Sequence, residues 1–491
     1  MGGLSCGTLL AKEGLKVLIC EQAAKPGGYC VNFKRGGFTF TPAIHYLNEF
    51  GPDGHMIQAF DTLGLPSDIQ FCLQDPQRRI IGPDLDITLS TDIDQFTEDL
   101  IHLFPKEELS IRSYIKECRK LVRILEGLTI ESFDVMTFRE KSNLLLKGMF
   151  KAPQLLRYRG KTGKSVLDSH FQDPVLKYIL NFDARRGASL FNCASPIMWA
   201  IKRDFHYVKD PQGVEALPSL FLRHYKGKGG EIMLNTLVEK IIIDDGRAVG
   251  VRVEGGEEFG ARYVVSNGDA NLTFRSLVGE SSLPERFMRR LKQNDLSGPA
   301  FTVYLGVDLD LAQMGFDGAL IHYYPRLGKR LWEEGEVGGF EVGNSKITIR
   351  TDSVNSPSLA PEGTCSINIS TFVPYEFFKE GERTHPRYEE RKEDITRKIV
   401  DLAERVVPGL SSHTIVQDAS TPLTCERYTL NTQGASMGWY LSAKEISSIR
   451  TQETPFSNLY LAGHWTFPGG GIPMVIISGI NAARLVLKGK I

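Results

Sequence analysis

The first twenty-one residues, MGGLSCGTLLAKEGLKVLICE, constrain the fold more than any other stretch. From Gly2 to Gly14, Leu4, Leu9, Leu10 and Ala11 sit among small residues in a pattern that predicts a helix, and Gly14 stands where a helix stops. Leu15 to Cys20 then form a short apolar run of the kind buried on both faces of a parallel sheet. A helix followed so tightly by such a strand implies α/β layering. Glu21 ends the strand about where an acid meets a ribose hydroxyl, so the segment reads as the latter part of a βαβ nucleotide-binding unit. Glycines at a helix start also serve plain close packing, and Gly2, Gly3 and Gly7 alone decide nothing.

The other end of the chain repeats the theme. NLYLAGHW (458–465) is a short apolar strand running into glycine, and TFPGGGIPMVIISGINAARLVL (466–487) is a glycine-rich turn leading into a helix of small residues. Glycine there lets backbone N–H groups approach a phosphate or dinucleotide closely. Two such elements at opposite ends of one chain can converge on one ligand.

Between them, GEIMLNTLVEKIIIDDGRAVGVRVE (230–254) holds β-branched runs split by Asp244-Asp245-Gly246, a hairpin signal. YVVSNGD (263–269) adds a strand ending in a polar turn. The runs FTVYLGV, ALIHYY, KITIRT and CSINIST between 300 and 372 alternate with turns and predict an antiparallel sheet. Charged helices are expected from Asp92 to about Gly127 and from about Tyr388 to Val407.

With 491 residues the length alone gives about two to four domains. A net charge of -1 provides no general attraction to nucleic acid or anionic lipid. The eight cysteines form no C-x-x-C pair and no cluster with histidines, so they read as reduced thiols and no metal site is expected. No apolar run reaches the roughly 18 residues of a membrane-spanning helix, and no basic segment precedes an apolar one at the N-terminus. MGGLSC nearly matches a myristoylation signal, with Cys6 where Ser or Thr is wanted. The expectation is a cytoplasmic protein with at most peripheral membrane contact. Residues 139–164 carry that contact if it exists: Arg139, Lys141, Lys147, Lys151, Arg157, Arg159, Lys161 and Lys164 lie among Leu, Met and Phe. A membrane-facing surface and a solvated helical face both fit such a stretch.

Four blocks carry a family resemblance that spans nearly the whole chain: GGLSCGTLLAKEGLKVLICEQAAKPGGYC, GGEIMLNTLVEKIIIDDGRAVGVR, STPLTCERYTLNTQGASMGW and NLYLAGHWTFPGGGIPMVIISGINAA. In this order they resemble flavoenzymes of the phytoene desaturase, carotenoid isomerase and retinol saturase type. The resemblance implies FAD and an α/β fold: a Rossmann-like FAD-binding domain of glutathione-reductase type, with an interleaved α+β substrate domain containing the antiparallel sheet. The FAD-binding domain then takes 1–90, 211–295 and 421–491, the sheet of the substrate domain takes 296–420, and a helical substrate- or membrane-facing part takes 91–210.

Residue by residue, Gly2 and Gly3 lie in the fingerprint, with Gly3 resembling its third glycine, and Glu21 resembles the ribose-binding acid. Gly27 and Gly28 match paired glycines near the pyrophosphate and flavin, and Val238 falls where a backbone contact to adenine is made. Gly463, His464, Gly470, Gly471, Ile472, Pro473, Met474 and Val475 match the element around the ribityl chain and flavin ring. There are departures: Tyr29 stands where Arg is frequent, His464 where Asp or Glu is frequent, and Thr41 where Asp is common. Met1 falls after the second fingerprint glycine, so the first strand and two glycines are absent, and a displaced start codon or a truncated sequence is expected.

The resemblance implies an enzyme acting on an apolar isoprenoid or polyene by desaturation, saturation or isomerisation, with no nicotinamide fingerprint and an electron acceptor left open. His45, Tyr428 and Trp465 fall in motifs near the expected flavin and are the candidates for catalysis, each also readable as a packing residue. Two rival readings stand beside this one. An amine-oxidase-like flavoenzyme predicts polar or aromatic groups above the flavin and a small polar substrate. A flavin-free truncated fragment predicts a colourless protein.

Overall fold

The computed structural model describes all residues except 53, 67, 127–134, 137–138, 140, 143–156, 159, 182–193, 335–339, 380–385, 441–450 and 490–491. Most of the basic stretch 139–164 therefore lies outside the described residues.

The opening helix Gly2–Lys12 and the closing helix Ile472–Lys488 pack side by side, although nearly the whole sequence separates them. Small residues make the close approach possible. Ser5 Oγ donates to Gly2 O (2.9 Å) and Ile476 O (3.0 Å), bonding one helix to the backbone of the other. The strand Leu18–Cys20 pairs in parallel with Glu231–Met233, and Val264–Ser266 pairs in parallel with Leu459–Leu461. Among the described residues no strand pairs with the second edge of either inner strand. The expected hairpin is present, with Val238–Asp244 antiparallel to Arg247–Val253 across the Asp-Asp-Gly turn.

The second half of the fold is a seven-stranded sheet in the order Thr414–Ser420, Ala300–Val307, Cys365–Phe372, Ile347–Arg350, Leu320–Tyr323, Arg78–Gly82, Leu85–Leu89. The four runs expected between 300 and 372 pair antiparallel with one another, as predicted, and the sheet becomes mixed only where Leu320–Tyr323 runs parallel to Arg78–Gly82. It also draws residues 78–89 out of the segment 1–90 assigned to the FAD-binding domain. Alternating signals in Arg78–Leu89 do mark strands, but pairing partners more than 200 residues away are decided by tertiary packing.

Side chains alternate across this sheet. Phe301, Val303, Leu305, Ile321, Ile347, Ile349, Ile367 and Ile369 face one way and bury against the helix Pro386–Ala403 through Ile395, Ile399 and Ala403. Each such side chain contributes about 1.5–3 kcal/mol of burial. The opposite face carries Thr302, Tyr304, His322, Thr348 and Ser370 and borders a cavity.

The helical segment expected from Asp92 is split. Asp92 caps Ile93–Leu103 by accepting N–H bonds from Asp94 and Gln95, and Pro105 separates this helix from Glu108–Glu126. Ile111, Tyr114, Ile115, Cys118 and Val122 recur at helical spacing and form the buried stripe of the second helix. Cys6, Cys20, Cys30, Cys72, Cys118, Cys365 and Cys425 are free thiols. No metal-binding cluster occurs among the described residues, and no described helix is long and apolar enough to cross a membrane.

Candidate functional site

A continuous cavity of about 3140 Å³ runs between the two halves of the fold. Ordinary ligand pockets reach about 1,000 Å³, so this space accommodates more than one small molecule. It is bordered by Gly2, Gly3, Glu21, Gly27, Gly28, Val238, Gly463, His464 and the run Gly470–Val475, all of the residues singled out for the cofactor.

Both helix N-termini open onto it. The first N–H groups of a helix have no intrahelical partner and carry the positive end of its dipole, so two such ends favour an anionic group such as a pyrophosphate. Gly2 is held by contact: a Cβ there would lie 2.3 Å from Asn267 Oδ1 and 2.8 Å from Gly463 N. The N–H of Gly463 in turn donates to Ser478 Oγ at 3.1 Å. Gly28 (φ 60°) and Gly471 (φ 107°) adopt left-handed backbone, and at both positions a Cβ would meet nothing within 4 Å. Their backbone thus borders open cavity, as a cradle for a bulky ligand requires.

Glu21 sits at the end of its strand, its N–H donating to Met233 O (2.8 Å) and its Oε1 accepting from Ala23 N–H (2.9 Å). Burial raises its carboxyl pKa. Its carboxyl borders the cavity at the position a ribose hydroxyl would occupy. The Thr236 N–H donates to Glu21 O at 2.9 Å, which brings the start of the strand bearing Val238 to the same end of the site. His464 Nε2 is buried without a hydrogen-bond partner among the described residues. Burial pushes its pKa down to about 4, so it is neutral at pH 7. A neutral imidazole with an orphaned nitrogen suits a ribityl hydroxyl. Tyr29 is pushed up to about 12 by burial and its hydroxyl accepts from Asn431 Nδ2 at 3.5 Å. It therefore supplies no charge where related enzymes frequently have Arg. These features fit FAD: two dipoles and glycine edges for the pyrophosphate, an acid for a ribose, and an unpaired donor or acceptor for the ribityl chain.

The three catalytic candidates separate. His45 borders the cavity with an exposed side chain, and the surrounding protein, with Arg350 and Lys346 adding to the effect, pushes its imidazole down to about 3. It is a neutral hydrogen-bonding group rather than a base at neutral pH. Tyr428 is exposed on the cavity rim. Trp465 does not border the cavity: it is 1% exposed, its Nε1 donates to Asn431 Oδ1 (3.0 Å), and its ring meets Trp439 edge-on at 4.8 Å. Its place in the motif reflects packing beneath the site.

Several lining residues escaped sequence reasoning. Asn267 lies in the polar turn read after Val264–Ser266, so a signal existed for it. His322, Tyr324 and Asn181 had none, since only the sheet's alternation and the end of the helix Pro174–Leu180 turn them toward the cavity.

The fold and this constellation define a flavin-dependent oxidoreductase, with a dinucleotide site built by the two chain ends and a sheet-floored chamber beside it. The family model described as flavin containing amine oxidoreductase matches residues 1–487, and the chain belongs to that family. Its cofactor is FAD. Among curated proteins it is similar to prolycopene isomerase 1, chloroplastic, from an Oncidium hybrid cultivar, at 27% identity over 508 residues covering 99% of this chain and 82% of that protein. It is 26% identical to a lycopene-forming phytoene desaturase of Pseudescherichia vulneris (99% and 97% covered) and 24% identical to all-trans-retinol 13,14-reductase of Danio rerio (94% and 81%). Solved structures that share the fold include an oxidoreductase from Methanosarcina mazei (TM-score 0.64, 14% identity, 99% of this chain and 98% of that one). A putrescine oxidase variant gives a TM-score of 0.65 at 14% identity, covering 99% and 97%.

Proposed function

We propose that this enzyme acts on carbon–carbon bonds of an apolar isoprenoid or polyene, by desaturation, saturation or cis–trans isomerisation. The observation that carries the reading is the continuity of the cavity, which reaches from the cofactor glycines to the face of the seven-stranded sheet bearing Tyr304 and His322. The kinship with prolycopene isomerase, phytoene desaturase and retinol reductase over almost the full chain supports it. Bound FAD supplies hydride acceptance or donation at its ring system. The chain's own part is placement. The N–H groups at Gly2–Gly3 and Gly27–Gly28 would hold the pyrophosphate, Glu21 would orient a ribose, His464 would meet the ribityl chain, and Gly470–Val475 would seat the ring. The walls exclude water from the reacting carbons.

The amine-oxidase-like alternative is disfavoured by charge. Lys346 and Arg78 lower the pKa of His322, and Arg350 and Lys346 that of His45, a surround in which Arg350 is itself ion-paired with Asp352 (3.3 Å) and which disfavours a protonated amine through Lys346 and Arg78. We assign peripheral membrane contact to the basic stretch 139–164, through which a lipid-soluble substrate would be delivered. The test is anaerobic incubation of the FAD-loaded enzyme with saturated and unsaturated polyenes, following flavin absorbance and product chromatography together. Bleaching or recolouring of flavin with a matching change in conjugation, or isomer exchange without bleaching, is expected. Flavin-loaded protein that alters no polyene overturns the reading. Glu21→Ala is expected to weaken FAD retention about ten- to a hundredfold, the loss of one charge-assisted hydrogen bond.

A further inference from the structure

One wall of the chamber is built from three rings in series. Tyr178 meets Trp332 edge-on with centroids 5.2 Å apart and Tyr324 edge-on at 6.1 Å, and all three border the cavity. They come from the helix Pro174–Leu180, the residue after the strand Leu320–Tyr323, and the short helix Lys329–Glu334. Cations stand at both ends of the series. Lys164 Nζ lies over the Trp332 ring, 4.7 Å from its centroid, and Lys346 Nζ lies over the Tyr324 ring at 5.8 Å. Both lysines border the cavity, and so does Arg326, two residues after Tyr324, which is exposed and makes no ion pair among the described residues.

No carboxylate among the described residues balances these charges from within the cavity. Asp168 does not border it and is already engaged three times: Oδ2 accepts from Lys164 Nζ (2.7 Å), and Oδ1 accepts from Lys177 Nζ (2.9 Å) and Trp332 Nε1 (2.7 Å). One carboxylate thus serves two ammonium groups, and the excess at the wall is positive. The carboxylates that do border the cavity stand elsewhere. Glu21, Glu231, Glu258 and Asp269 belong to the nucleotide-binding half, Asp418 lies on the edge strand Thr414–Ser420 at the other side of the sheet, and Glu49 is held by His55 and Lys202. A hydrocarbon end laid against this wall would desolvate its cations without compensating them, which is unfavourable. An anion compensates them, and a guanidinium matches a carboxylate or phosphate with paired hydrogen bonds.

We propose that this wall binds an anionic end group, a carboxylate or a diphosphate, on the isoprenoid taken by the enzyme, with Arg326 as its principal counter-charge and the three rings flanking the chain beside it. The proposal rests on the polyene reading above and deepens it: the substrate is an amphiphile with a negatively charged end rather than a neutral isoprenoid. The site is separate from the glycine edges that fit the FAD pyrophosphate, because its cations stand on the other half of the fold.

The experiment titrates the FAD-loaded enzyme with four probes of equal chain length: a polyene carboxylate, its methyl ester, the parent hydrocarbon and an isoprenoid diphosphate. Binding is read from perturbation of the flavin absorbance bands, with inorganic pyrophosphate as the control for a bare anion. The carboxylate or the diphosphate is expected to bind at least about tenfold more tightly than the ester and the hydrocarbon, and the tighter of the two names the end group. In Arg326→Ala that preference should collapse toward one, while Arg326→Lys should keep most of it. Flavin content and thermal midpoint report whether each variant folds. If Arg326→Ala does not fold, a salt series on the wild type decides, because the preference for the anion over the ester must fall as salt screens an exposed guanidinium. Equal binding of the ester and both anions overturns the anionic-end proposal while leaving the polyene reading in place. So does full preference retained in a folded Arg326→Ala, a preference indifferent to salt, or inorganic pyrophosphate that displaces nothing from the cofactor yet binds as tightly as the diphosphate probe. If none of the four chains binds flavin-loaded enzyme, the polyene reading fails and the proposal with it.

Discussion

Replacing Gly479 by alanine tests whether the two ends of the chain build the cofactor site together. Gly479 lies inside the closing helix, and a Cβ there would sit 2.0 Å from Ser5 Oγ, 2.2 Å from Gly2 O and 2.9 Å from Cys6 N. Ser5 can rotate away. The Gly2 carbonyl is backbone and cannot, so relief to ordinary contact at 3.4 Å or more requires the helices to part by over 1 Å. Alanine gains about 0.5–1 kcal/mol of helix propensity over glycine. Against this, overpacking costs about 1–3 kcal/mol, and the single Ser5 hydroxyl proton, shared between Gly2 O and Ile476 O, adds about 0.5–1.5 kcal/mol if its bonding is lost. The net expectation is destabilisation by about 0.5–4 kcal/mol. Because Gly2 also abuts Asn267 and Gly463, the same displacement distorts the cradle, and flavin per protein should fall before the fold is lost. The assay is thermal unfolding alongside the ratio of flavin to protein absorbance. Gly227→Ala is the control: its Cβ would meet nothing within 4 Å, so it should be neutral or mildly stabilising and fully yellow. A Gly479→Ala protein that matches the control in both measurements refutes the reasoning.

Two further substitutions probe buried charge. Glu49 accepts from His55 (2.6 Å) and Lys202 (2.7 Å); burial acts to raise its carboxyl, but these partners outweigh it and hold the pKa at about 2. A depressed carboxyl contributes stability above its unfolded value of about 4.3 and loses it as pH falls toward 2, here roughly 3 kcal/mol. Glu49→Gln should lower the melting temperature at pH 6 and flatten the stability profile between pH 5 and 3; an unchanged slope would rule the account out. Asp269 is 1% exposed and accepts N–H bonds from Leu272 (2.9 Å) and Thr432 (2.7 Å), joining the turn after Val264–Ser266 to the turn Thr432–Gly434. Asp269→Ala strands both donors and should cost about 2–5 kcal/mol, read as a lower urea midpoint, with Asp269→Asn recovering part of the loss.

Local signals are strong where the chemistry needs a particular residue at a particular place along the chain. Glycine is the residue that accepts φ of 107° at position 471 or the contact of Gly2 with Gly463, so both positions are marked by residue type alone. The apolar run ending in Glu21 marks a buried strand for the same reason, and the Asp-Asp-Gly turn marks the hairpin it makes. Trp465 shows the limit of such reading, because a motif position does not say whether a ring faces a cavity or the packing beneath it.

The sequence by itself determined the α/β layering, the glycine edges at both chain ends and the acid between them, since each depends on short-range backbone geometry and side-chain volume. Only the tertiary structure decided that Arg78–Leu89 joins a sheet with residues 300–420, and that His45, His322 and Asn181 share one chamber. Strand partners far apart in sequence are selected by burial of a common core, here Phe301 to Ile369 against the helix Pro386–Ala403. The face left over from that burial is what the substrate meets, and no local pattern specifies which distant side chains will stand beside one another on it.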